Sequence, residues 1–198
     1  EDKYSVPYLE GRDVGRYGIH WSGMWMQYGP WLSQPREIGI FTRPRILLRE
    51  ITGHSPYCLN NTYVEKQFLN NKSVLNILDF NDNKERLKAL TGILNGRLIS
   101  FFYQKQGVKS GRNIFPKVVV KDLGRFPIPE NMAAESIQEL AQKVEAMLDA
   151  KQQLMTAMTD KDKTYYQNKC ITLDNQIDRL VYKLYKLNEK EISIVEGN

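Results

Sequence analysis

Six cations carry the chemistry this sequence offers most readily: Arg43 and Arg45 around the start of an apolar run, Lys72 beside a pair of asparagines, and Lys105, Lys109 and Arg112 in a polar stretch. Such groups neutralise nucleic-acid phosphates and release the counterions held there. Arginine and lysine also read guanine edges, while asparagine and glutamine read adenine. Residues 104–113 hold all four of those types, and Gly107 and Gly111 allow the backbone a close approach to a ligand. An ordinary solvated loop is the plainer alternative. Arg43, Arg45 and Arg49 share one parity, so a strand puts them on one face. That face is either a phosphate- or base-facing stripe or a solvated strand surface partly neutralised by Glu50; the second suits Arg49 better. Arg12 and Arg16 flank Asp13, and an internal salt bridge is as good a use for them as an external anion.

A second group is aromatic: His20, Trp21, Trp25, Tyr28 and Trp31 within a dozen residues. An inserted aromatic can wedge a base step or support a flipped-out base. Filling the core of a small domain is the more ordinary role, and it is the one expected here. His20 and His54 have no partner cluster and read as structural polar residues. Asn60-Asn61 and Asn70-Asn71-Lys72 suit turns, with Lys72 placed to meet a phosphate.

Catalytic patterns are missing. There is no phosphate-binding Gly-x-x-x-x-Gly-Lys loop, no dinucleotide fingerprint and no Gly-x-Ser-x-Gly elbow. No Asn-Pro dipeptide occurs, so an Asn-Pro-Pro-Tyr methyltransferase motif is absent from this chain. The pairs Asp82/Lys84 and Asp149/Lys151 lack the strand context that would hold a metal beside a scissile phosphate. Cys58 and Cys170 are too few for a disulfide framework, and with two histidines give no usual zinc spacing. The expectation is a cytoplasmic, reduced, metal-free chain with no catalysis and no cofactor of its own.

These residues need elements to hold them. Residues 1–60 are punctuated by glycine and proline and read as strands and loops. Residues 45–51 and 73–78 are the clearest strands, and 114–120 reads as another. Leu87, Leu90, Leu94, Leu98, Phe101 and Phe102 line one face of a helix running from about Asn83 to Tyr103. After Phe126-Pro127-Ile128-Pro129 the character changes. Residues 1–128 carry nineteen lysines and arginines against eleven acids, whereas the remainder carry nine against twelve. Ile137, Leu140, Val144, Met147, Leu154 and Met158 follow a heptad, and Cys170, Leu173, Ile177, Leu180, Leu184 and Leu187 resume it after a charged turn at 160–163. The architecture expected is α+β: a mixed domain at 1–129, an antiparallel two-helix coiled-coil hairpin at 130–191, and a tail at 192–198. No run is long and apolar enough for a membrane span.

Several segments together resemble a known family. They are Gly11-Arg12-Asp13-Val14-Gly15-Arg16-Tyr17, Arg43-Pro44-Arg45-Ile46-Leu47-Leu48-Arg49, and the helix containing Leu94-Asn95-Gly96-Arg97-Leu98. Phe115-Pro116-Lys117-Val118, Leu123-Gly124-Arg125-Phe126-Pro127-Ile128-Pro129 and the closing helix from Ile177 to Leu187 complete the set. Their number and order resemble the TaqI-like C-terminal specificity domain, the target recognition domain of type IIG restriction–modification enzymes and related adenine methyltransferases. Gly96 stands where that family usually has serine.

The resemblance implies sequence-specific recognition of double-stranded DNA. It also implies a parent protein bearing an upstream adenine N6-methyltransferase domain that uses S-adenosylmethionine, with or without a Mg2+-dependent nuclease. The upstream domain of the same chain is then a partner, and the hairpin a docking or dimerisation element. Half of a type I restriction specificity subunit is an alternative with the same task. A helical interaction module without DNA binding, and a nuclease within this chain, are alternatives of other classes.

Overall fold

A computed structural model describes residues 5–107 and 117–197. The chain opens with β1 (Ser5–Leu9), a 3-10 turn (Gly11–Asp13), and the short strands β2 (Val14–Gly15), β3 (Gly18–Ile19) and β4 (Trp25–Gln27). A helical turn α1 (Gly39–Thr42) leads to β5 (Arg45–Arg49), β6 (Asn61–Val64), β7 (Leu69–Asn70) and β8 (Val74–Ile77). Helices follow: α2 (Lys84–Asn95), α3 (Arg97–Gly107), α4 (Val120–Leu123), α5 (Ala134–Thr156), α6 (Asp160–Leu184) and α7 (Glu189–Glu196).

The strands form three small sheets among the described residues. The central one has the order β6-β5-β8, antiparallel throughout, with Leu47 opposite Thr62 on one side and Asn76 on the other. The second has the order β4-β1-β7, and β2 and β3 make a tight hairpin. Alternation along β5 decides the layering. Ile46 and Leu48 face a large cluster with Leu87, Ile93, Leu140, Val144, Ile177 and Val181. Leu47 faces the opposite way, into a smaller cluster with Leu9, Val14, Val64 and Val74. Helices therefore cover one face of the central sheet and the β1 layer covers the other.

The α+β architecture and the helical hairpin agree with the sequence reading. Four local features differ. The single helix expected over 83–103 is two, because the chain turns extended at Gly96 (φ −75°, ψ 162°). Asp178 of α6 then accepts a hydrogen bond from the Arg97 N–H (2.9 Å), which occupies a free donor at the start of α3. A Cβ at Gly96 would lie 3.2 Å from that same carboxylate oxygen. The charged turn expected at 160–163 is instead the first turn of α6, capped by Thr159 and rich in the acids that favour a helix N-terminus. Helix α7 runs across the expected boundary between hairpin and tail, opened by a reciprocal Asn188/Glu191 capping box and closed by Gly197 at φ 78°. In the strand expected at 114–120, Lys117 makes only an isolated bridge to Ile51 and Val120 already begins α4, while residues 114–116 lie outside the described residues.

Candidate nucleic-acid interface

Two arginines that looked available from the sequence are consumed by the fold. Arg45 is completely buried. Its guanidinium donates to Asn76 Oδ1 (3.2 Å) and to the carbonyls of Arg43, Lys66 and Phe68 (3.0, 3.3 and 2.9 Å). It stitches β5 to the chain entering β7, so it does not present a charge at the surface as the one-face stripe required. Burial pushes its pKa down, to about 10, and it remains cationic at neutral pH. Arg43 is half-buried; its Nε pairs with Asp82 (2.8 Å) and its Nη2 donates to the Asp79 carbonyl (3.0 Å).

The remaining expected residues fall in two places. Lys72 is exposed at the tip of the β7–β8 turn. Asn71 builds that turn by accepting from the Ser73 N–H (2.9 Å), and Asn70 donates to the Val74 carbonyl (2.8 Å). Lys105 is exposed in the last turn of α3, its ammonium 5.4 Å from the Phe101 ring centre. Lys109 and Arg112 lie outside the described residues. Arg43 just precedes β5 and Arg49 ends it, which separates them by roughly 20 Å at the ordinary rise of an extended chain. The four described residues are therefore not one cluster.

What the fold does assemble is a surface around the Arg49 end of β5. Ser73 accepts from the Gly11 N–H (2.8 Å) through its hydroxyl and from the Glu50 N–H (2.9 Å) through its carbonyl. Glu50 in turn accepts from the Val118 N–H (2.8 Å) and pairs with Lys117 (3.3 Å). Arg12, Lys72 and Lys117 are thereby carried by adjoining segments. Arg12 and Lys117 are each tied to one acid, at 3.1 Å to Glu10 and 3.3 Å to Glu50. Such exposed pairs hold weakly in water and leave both cations available to a stronger anion.

Trp21, Met24 and Trp25 border this surface, Arg12 Nη2 lying 3.9 Å from Met24 Sδ, whereas Tyr28 packs on the buried Phe41; the tryptophans do not take the core-filling role expected of them. Trp21, Trp25 and Trp31 are 38%, 40% and 68% exposed, and Met24 is 39% exposed. Asn61, expected in a turn, lies buried in β6. Its side chain and backbone exchange hydrogen bonds with Asn95 (2.8, 3.2 and 2.9 Å).

Sequence reasoning also missed a polar joint between the sheet layers and the hairpin. Arg16 pairs with Asp174 (2.6 Å), donates to the Asn95 carbonyl (3.2 Å), and lies 3.8 Å from the centre of the Tyr57 ring. Arg97 pairs with Asp178 (3.3 Å) and donates to the Tyr57 hydroxyl (3.0 Å), which itself donates to Asp178 (2.9 Å). Burial pushes the Asp178 carboxyl up, against the Arg97 and Tyr57 hydrogen bonds that pull it down. Tyr17, next to Arg16, is buried at φ 58° in the two-residue turn that joins β2 to β3. The residues around Arg16 give no sign of this role in the sequence, because its carboxylate partner Asp174 is over 150 residues away along the chain.

Among the described residues no group of three or more His, Cys, Asp or Glu could hold a metal, and no helix is long and apolar enough to cross a membrane. The model of the TaqI-like C-terminal specificity domain family matches residues 6–128, well over half of the chain. No curated protein sequence matches it. Among solved structures, the type IIL restriction-modification enzyme MmeI in complex with DNA aligns over 99% of this chain at a TM-score of 0.63 and 10% identity. The chain spans 30% of the length of that enzyme, and the likeness establishes a shared fold.

Proposed function

The chain belongs to the TaqI-like C-terminal specificity domain family, and from that premise we propose that it selects a sequence in double-stranded DNA on behalf of a restriction–modification enzyme. The family match over residues 6–128 carries the reading. MmeI, which shares the fold, is a restriction-modification enzyme solved with DNA. The surface around the Arg49 end of β5 supplies what the task needs. There Arg12, Lys72 and Lys117 meet phosphates and set the register, Lys105 adds a separate phosphate contact from the end of α3, and the polar side chains of the adjoining loops reach base edges. Adenine methylation with S-adenosylmethionine, and any Mg2+-dependent cleavage, belong to an upstream domain of the same enzyme. This chain contributes binding and orientation.

Duplex binding measured across a salt series tests the proposal. Affinity should fall linearly with the logarithm of salt concentration, and charge reversal at Lys72 or Lys105 should lower the slope by about one for each phosphate no longer neutralised. The same reversals at Lys109 and Arg112 test the part that residues 104–113 take in binding. Absence of salt-dependent duplex binding would overturn the reading in favour of a helical interaction module. Metal-dependent cleavage by the purified chain would place a nuclease within it.

A further inference from the structure

Three exposed tryptophans on one short ribbon need an explanation, because rigid aromatic surface left in water is costly and a core was available. Nor is the ribbon loosely held. The Asp13 carboxylate, itself buried, accepts from the Glu10 and Ser22 N–H groups (2.7 and 3.1 Å), and its carbonyl accepts from the His20 N–H (2.8 Å). The Met24 carbonyl accepts from both the Tyr8 N–H (2.9 Å) and Trp21 Nε1 (3.0 Å). Gly23, at φ 84°, makes the turn between them. Trp21 and Trp25 then stand edge to face, ring centres 5.1 Å apart at 82°. Strand β4, which carries Trp25, is at the edge of its sheet, and the hairpin helices lie on the other side of the central sheet.

The neighbours of this pair indicate its partner. Arg12 Nη2 lies 3.9 Å from Met24 Sδ, and Lys72 projects from the turn bonded to Gly11. A cation-flanked aromatic edge, already fixed in its bound shape, matches a substrate with a charged backbone and stackable faces inside it. We propose that Trp21, Met24 and Trp25 form a wedge that enters a base step of duplex DNA and unstacks it, while Arg12 and Lys72 hold the phosphates on either side. The proposal rests on the DNA-recognition reading above. It adds a deformation contact, which selects steps that open easily without reading base edges.

The test uses the 198-residue chain and a pool of mixed-sequence duplexes carrying 2-aminopurine, whose emission rises when it is unstacked. The unmutated chain should brighten the probe. The W21A/W25A double variant should lose the brightening and roughly ten-fold in affinity, with the salt slope unchanged because every phosphate-binding cation is kept. W21F/W25F, which keeps the ring contact and loses only the Trp21 Nε1 hydrogen bond, should retain most of both, and a cooperative melt in each variant should show that the body of the chain still folds. Parental affinity and brightening in W21A/W25A overturns the wedge, as does a complex of the unmutated chain that never brightens. A change confined to self-association in W21A/W25A overturns it in favour of a protein contact. In those cases salt-dependent duplex binding still stands; its absence in the unmutated chain overturns both readings.

Discussion

Arg45 and Asp178 show how far the charge on a residue is from its use. Arg45 has four acceptors and none is a carboxylate, so its charge is spread over carbonyl dipoles in a dry site. Replacement by methionine would keep most of the volume and leave those acceptors without donors. Each buried orphan costs about 1–3 kcal/mol, so Arg45→Met should lower unfolding stability by at least about 3 kcal/mol in a denaturant titration. The affinity of the folded fraction for duplex should not change, since the side chain never reaches the surface. Strand parity can place Arg45 with Arg43 and Arg49, but parity does not say which face is dry. Asp178 makes a pH-dependent prediction. Burial raises its pKa above the ordinary 3.8, so the native state keeps this proton at pH values where the unfolded chain has lost it. Its contribution to stability therefore declines as pH rises through the interval just above 3.8 and is level beyond the native value. Subtracting the stability curve of Asp178→Asn from that of the parent should leave that falling limb. A rising limb would mean that Arg97 and Tyr57 outweigh burial.

At the scale of elements, periodicity is a good guide and local interruptions are not. Heptad spacing locates both long helices, since Leu140, Val144, Met147, Cys170, Leu173 and Ile177 are all buried in the common core. It cannot distinguish a hairpin seam from a face packed on a body, because both need the same apolar stripe. It also carries one helix across Gly96, where the break depends on a carboxylate from α6, over eighty residues away. The Asn188-x-x-Glu191 signal that opens α7 is legible in the sequence itself. Composition alone sends the three tryptophans to the core, yet it carries no information about which side of a strand meets water. Gly92 offers a direct test of helix packing. A Cβ there would come 2.8 Å from Val144 Cγ2, closer than carbon atoms tolerate. Gly92→Ala should gain helix propensity yet lose about 1–2 kcal/mol through the clash. Val144→Ala in the same chain should recover part of that loss, a coupling that a double-mutant cycle measures directly.

For the whole molecule, the change of composition at Phe126-Pro127-Ile128-Pro129 separates two charge balances but not two cores. The first 128 residues hold the excess of cations and the remainder a slight excess of acids. The long helices lie behind the central sheet and the aromatic ribbon, flanked by Arg12, lies in front, while Arg16, Lys88 and Arg97 reach back to acids of α5 and α6. The hydrophobic cluster nevertheless runs straight through, from Ile46 and Leu48 on β5, past Leu87 and Ile93 on α2, to Val144 on α5 and Ile177 and Val181 on α6. Arg16–Asp174 and Arg97–Asp178 add two ion pairs at the same boundary, at 2.6 and 3.3 Å. A chain ending at residue 129 would expose one face of α2 and leave Arg16 and Arg97 without their carboxylates, and leaving a charge uncompensated in a dry boundary costs several kcal/mol. That exceeds what a small domain can lose. Residues 1–129 alone should therefore show no cooperative thermal transition and should expose dye-binding apolar surface. Supplying residues 130–198 as a separate chain should restore both the transition and duplex binding. A fragment that melts cooperatively by itself would instead make the helices a detachable arm, free to dock elsewhere.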